Sequence, residues 1–113
     1  MSYDYFLFRP RKFIADPATI DETTLDPWGD PSDVRRLALD RIPGLQWPED
    51  RGWGAIPDEF FEVSYGGGLI VSVRTSHRRD SRSRLEAVAR ALNCMAFDTQ
   101  TGEIVWQPAA GAT

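Results

Sequence analysis

Three consecutive glycines between two alternating segments constrain this sequence more than any other feature. In EFFEVSYGGGLIVSVRTS, residues 59–76, the side chains of Phe61, Val63 and Tyr65 fall on one face of the first arm. Leu69, Val71 and Val73 do the same on the second. A three-residue loop of Gly66, Gly67 and Gly68 sets Tyr65 opposite Leu69, Val63 opposite Val71 and Phe61 opposite Val73, so six apolar side chains share a face. A two-residue loop would bring Ser72 among them, because a slip of one residue exchanges the faces. The expected register is therefore the three-residue one, with glycine supplying the positive φ on which such loops end. The opposite face, with Phe60, Glu62, Ser64, Ile70, Ser72 and Arg74, is mostly polar, so the hairpin is expected to be buried on one side and wetter on the other.

Around this hairpin the chain reads as strand, helix, strand, strand, helix, strand, strand. Tyr3 to Phe8 is aromatic on both faces and predicts a central strand that stops at Arg9-Pro10. Asp30-Pro31 is a helix start, and Val34, Leu37, Ala38 and Ile42 follow at helical spacing until Pro43-Gly44, which predicts a helix over about 31–42. Asp80 or Ser83 can cap a second helix, Ser83 and Glu86 fit a capping box, and Leu85, Val88, Ala89 and Leu92 form its apolar stripe. Asn93 is its expected left-handed stop. Residues 94–97 read as a buried strand, and Asp98 to Gly102 as a tight turn into a last strand over 103–106. Residues 11–29 are left irregular, with Asp16-Pro17 as a start signal for a short helix, and residues 45–57 read as a structured loop. The expected fold is α+β, a ferredoxin-like two-layer sandwich (βαββαβ plus a C-terminal edge strand). Its antiparallel sheet carries two helices on one face. The chain divides into a single domain over 1–107 and a tail over 108–113.

At 113 residues there is room for one core, and a composition 42% hydrophobic and 27% charged is that of a folded globular chain rather than a disordered or membranous one. No apolar run is long enough to cross a bilayer, and MSYDYFLFRP lacks the pattern of a signal peptide, so the expected location is cytoplasmic. A lone cysteine, Cys94, fits a reducing compartment, and one cysteine with one histidine argues against a zinc site. No cofactor or metal is expected. The net charge of -4 hides an uneven distribution. Residues 16–62 carry twelve carboxylates against four arginines, a balance of -8, whereas residues 74–84 carry five arginines against Asp80, a balance of +4.

Three constellations are candidates for function. The first is the basic stretch that leads into the second helix, where Arg74, His77, Arg78, Arg79 and Arg82 could hold an anion; the bland alternative is a solvated loop. The second is catalytic, with His77 as base and Cys94 as nucleophile. Cys94 opens a buried-looking strand, where a free cysteine is more often inert, so no catalytic residue is assigned. The third is the acidic region bearing Trp28, Trp47 and Trp53, with Asp50 and Asp58 among its carboxylates, which would suit docking to a basic protein surface. Its competing reading is that these tryptophans cover the core. The negative first half and the lack of stacking aromatics on the wetter face argue against nucleic acid.

The opening MSYDYFLF and the closing RLEAVARALNCMAFDTQTGEIV resemble small uncharacterised bacterial proteins that begin with an MSYD strand and end with a strand and a D-x-x-T-G turn. Some of that group are similar to immunity proteins of contact-dependent or type VI toxin systems. The resemblance implies a bacterial origin and a role as an intracellular inhibitor, and carries over no binding residue. The leading expectation is thus a non-enzymatic, cytoplasmic protein-binding domain, an immunity-type inhibitor whose acidic half meets a basic toxin domain. The alternative is a small-ligand or anion-binding domain, or an enzyme, that uses the wetter sheet face and the Arg74–Arg84 loop. Dimerisation through that face is a third outcome.

Overall fold

The computed structural model describes residues 2–57, 59–76 and 80–109. Its strands are β1 (Ser2–Pro10), β2 (Leu25–Asp26), β3 (Trp53–Ile56), β4 (Phe61–Ser64), β5 (Val71–Ser76), β6 (Met95–Asp98) and β7 (Ile104–Trp106); its helices are α1 (Pro31–Arg41) and α2 (Asp80–Leu92). The fold is α+β, with an open antiparallel sheet in the order β3-β4-β5-β1-β6-β7 and β2 paired to the end of β1. That order is not the ferredoxin order. Two strands lie outside the expected set: β3 inside residues 45–57, whose sequence reads as loop, and β2 inside residues 11–29, whose sequence reads as irregular. Among the described residues no helix is long and apolar enough to cross a membrane.

Local chemistry accounts for most element ends. Asp30 caps α1 and Pro31 opens it, although the Asp30 side chain accepts no capping hydrogen bond. Asn93 ends α2 at φ +53°, the left-handed conformation asparagine tolerates. Asp16 accepts from the Ala18 amide at 3.0 Å and Pro17–Thr19 form a 3₁₀ turn, so the Asp16-Pro17 signal does start a helical turn. The capping box expected at Ser83 and Glu86 does not form, since α2 begins at Asp80 and Ser83 lies within it.

The hairpin register differs from expectation by two residues. Val63 pairs with Val73 and Ser64 with Ser72, which leaves residues 65–70 between the two strands. A slip of two preserves the faces, so Phe61, Val63, Tyr65, Val71 and Val73 are all buried in one cluster. Leu69 leaves that face and packs against a second cluster. The longer loop is held from outside the hairpin: the Trp28 amide donates to the Gly68 carbonyl at 3.1 Å, and the Tyr65 hydroxyl reaches the carbonyls of Gly29 and Gly68. Gly67 and Gly68, at φ +114° and +91°, take conformations a side chain would resist.

Two cores flank the sheet. The larger joins Tyr5 and Leu7 of β1, the hairpin residues above, Val34 and Ala38 of α1, and Leu85, Val88 and Ala89 of α2. Both helices therefore cover one face, as expected. The smaller, formed by Phe8, Ile14, Leu25 and Met95, sits on the other side, where residues 11–26 fold back over β1 and β6. The Gln107 side chain fixes this flap, accepting from the Ile14 amide at 3.0 Å and donating to its carbonyl at 2.7 Å. Among the described residues, this flap covers the far face over β1 and β6 and not over β3, β4 and β5.

β3 packs with no space to spare. A methyl group on Gly54 would stand 3.0 Å from Cβ and Cε3 of Trp47. That indole is also tied by its Nε1, which donates to the Arg51 carbonyl at 2.8 Å. Gly54→Ala is expected to destabilise by about 1–3 kcal/mol through overpacking, read as a lower urea midpoint. An unchanged midpoint would mean that Trp47 is free to move.

Candidate functional site

The structure divides the five residues expected to bind a partner. Trp28 and Trp47 are 6% and 5% exposed and belong to the larger core, so the competing reading holds for both. Trp28 is fixed further by its indole Nε1, which donates to the Leu7 carbonyl at 3.1 Å. Trp53, on β3, is 40% exposed, with the Arg51 guanidinium 3.9 Å above its ring. Asp50 lies exposed in the loop before β3, and Asp58 falls outside the described residues.

The basic stretch fares differently. His77, Arg78 and Arg79 fall outside the described residues. Arg74 pairs with Asp4 across the sheet at 3.2 Å. Arg82 lies 3.4 Å from both Asp98 and Glu103. The two described arginines of that set therefore already face carboxylates of their own chain. Asp98 is buried, and its Oδ1 also accepts from the Gln100 amide at 2.8 Å, so it organises the turn between β6 and β7. Beside it, burial and then the Asp98 carboxylate push the Tyr5 phenol above its usual value.

Cys94 is completely buried, and burial pushes its thiol up to about 12. Its neutral form dominates at physiological pH, where a nucleophile would need the thiolate. Two outcomes follow for solution measurements. A thiol reagent is expected to label Cys94 only as fast as the chain opens, so labelling at a native, opening-independent rate would contradict the buried placement. A folded-state value above the ordinary 9.0 means that the stabilising contribution is intact below pH 9 and is lost as pH rises toward 12. The urea midpoint should fall through that window, and less steeply in Cys94→Ala.

Two concavities are formed among the described residues. The smaller, about 240 Å³, lies on the open part of the sheet between Trp53, Glu62, Ser64, Ser72, Arg74 and Asp4. The larger, about 550 Å³, lies between the first turns of α1 and the loop before β3, and Trp47, Tyr65, Arg35, Arg51, Glu49 and Asp50 are among its lining. Arg35 is held by its Nε, which donates to the Trp47 carbonyl at 2.7 Å. Arg51 is held by bonds to the carbonyls of Trp53 at 2.8 Å and Gln46 at 3.1 Å. Sequence reasoning missed this groove, because nothing in the spacing of α1 shows that Arg35 meets the Trp47 carbonyl twelve positions on. Among the described residues no group of three or more His, Cys, Asp and Glu side chains is placed to hold a metal ion.

The other feature missed is Phe60. It is 74% exposed and sits in the β3–β4 turn at φ +48°. The turn is anchored by its neighbour Glu59, which lies 2.7 Å from Arg84 of α2. No protein-family model, curated protein or solved structure matches the chain.

Proposed function

We propose that this chain is a protein-binding domain, an immunity-type inhibitor in the sense the resemblance implies, and that it meets its partner through the outer hairpin β3–β4 and the loop before it. Phe60 carries the reading. A phenylalanine in the left-handed region costs roughly 1–2 kcal/mol, and at 74% exposure it gains little burial in return. An exposed aromatic side chain on an anchored turn is the kind of residue that becomes a buried anchor in a complex. Trp53 at the other end of β3 adds a second aromatic surface, stiffened by Arg51.

Charge supports the same surface. Five described carboxylates have neither an ion pair nor a hydrogen bond to a turn, and three of them, Glu49, Asp50 and Glu62, lie on this hairpin or its approach. Uncommitted negative charge around two aromatic side chains favours a basic partner and speeds encounter with it. The hypothesis thus keeps Trp53 and Asp50 from the sequence reading, replaces Trp28 and Trp47 by Phe60, and adds Glu49 and Glu62. At the fold level, we read β4-β5-β1-β6 with α1 and α2 as a ferredoxin-like split βαβ core, to which β2, β3 and β7 are added. The support is that β1 lies between β5 and β6 while the helices make the two crossovers.

With the tagged chain as bait in the cells it comes from, a basic protein is expected to be retained by the wild type and released as salt rises. The Trp53→Ala/Phe60→Ala double variant is expected to lose it. Equal retention by the folded double variant and the wild type would remove this surface from the account.

A further inference from the structure

We infer that the groove between α1 and the loop before β3 is a binding site for a small zwitterionic ligand, one with a carboxylate or phosphate at one end and a cationic group at the other. Seven of the ten arginines among the described residues have a carboxylate partner. The exceptions are Arg9, which lies over the Trp28 ring, and Arg35 and Arg51, which both line the groove. Each of these two spends its Nε on a backbone carbonyl, which fixes the guanidinium and leaves N–H groups uncommitted.

The opposing charges share the groove without meeting. Glu49 and Asp50 line the same concavity as Arg35 and Arg51, yet no ion pair joins either acid to either arginine. Held cations and unpaired anions around one groove match a ligand that carries both signs apart, and a purely anionic ligand would meet repulsion from the two acids. At about 550 Å³ the space suits a small molecule rather than a bare ion. Trp47 and Tyr65 at its floor offer apolar contact to the part between the charges. The groove shares Glu49, Asp50 and Arg51 with the proposed partner surface but not its aromatic anchors, since neither Trp53 nor Phe60 lines it, so the inference does not rest on the protein-binding reading.

The test is a titration of the full chain, followed by backbone amide and indole N–H shifts at fixed ionic strength, with γ-aminobutyrate, butyrate and inorganic phosphate as probes. γ-Aminobutyrate is expected to give saturable shifts confined to residues 31–36 and 47–52 and to bind about tenfold tighter than butyrate, as one or two added ion pairs at a partly exposed site would give. Arg35→Gln and Arg51→Gln should each weaken it at least about tenfold, while Arg90→Gln, on the far end of α2, should leave it unchanged. Arg35→Lys keeps the charge, and binding intermediate between wild type and Arg35→Gln separates loss of the head-group contact from loosening of the loop. Phosphate binding more tightly than butyrate but more weakly than γ-aminobutyrate would assign the anionic end to a phosphate, whereas phosphate binding more tightly than γ-aminobutyrate would overturn the two-sign site. Butyrate binding as well as γ-aminobutyrate would overturn the two-sign site. So would shifts spread over all arginine-bearing surfaces, or no saturable shift with any probe.

Discussion

Trp47→Ala is expected to lower folding stability by about 3–5 kcal/mol, whereas Trp53→Ala should change it by less than about 1 kcal/mol. The two indoles stand six positions apart in one acidic stretch and look alike in sequence. Trp47 is 5% exposed, fills the space that Gly54 leaves open, and bonds the Arg51 carbonyl through its ring nitrogen. Removing it opens a cavity and frees the loop that Arg35 helps to hold. Trp53 loses mainly contact with solvent and with the Arg51 guanidinium. A domain of this size has only about 5–15 kcal/mol of stability in total, so the first variant should be partly unfolded at modest urea while the second stays close to wild type. Urea unfolding followed by far-ultraviolet circular dichroism makes the comparison. Similar losses for both would mean that Trp53 belongs to the core and is not available to a partner.

Neighbouring phenylalanines should behave in opposite ways. Phe61, 1% exposed, is the largest fully buried side chain of the core, and Phe61→Ala is expected to cost about 3–5 kcal/mol. Phe60 buries little and holds a positive φ, so Phe60→Gly is expected to raise stability by up to about 1 kcal/mol, because glycine adopts that conformation without strain. Gain of stability with loss of a retained partner is the signature of a residue kept for binding rather than for folding. A Phe60→Gly protein less stable than the wild type would show that the ring packs in the free protein, and the contact surface would have to move.

The periodic elements could be read from the chain because their signals are local. Pro31 and the Val34–Ala38 spacing bound α1, Leu85, Val88 and Ala89 mark the buried stripe of α2, and Asp98 with Gly102 makes the last turn. The hairpin faces could be read too, but its register could not. Alternation is blind to a slip of two, and what selects the longer loop is a bond from the Trp28 amide, far outside the hairpin. β3 was hidden because Gly54 and Ala55 are poor strand formers and Pro48, Gly52 and Pro57 surround them with turn signals. It exists because Gly54 lets Trp47 lie against the backbone while Gln46 and Ala55 exchange hydrogen bonds at 2.8 and 2.9 Å. The candidate surfaces were half legible for the same reason. Composition showed where acids and tryptophans gather, but which of them face solvent depends on packing between Trp28, Trp47 and distant strands.

β1 is the wall common to both cores, with Tyr5 and Leu7 facing one and Phe8 the other, and Leu7 sits between Val71 and Ala96. During synthesis this aromatic segment is made before both of its neighbours, β5 and β6, and can pair with neither until they have followed. The nascent polypeptide therefore carries an unsheltered, adhesive segment until β5 and β6 have emerged, which makes it a natural client for whatever chaperone waits at the exit tunnel.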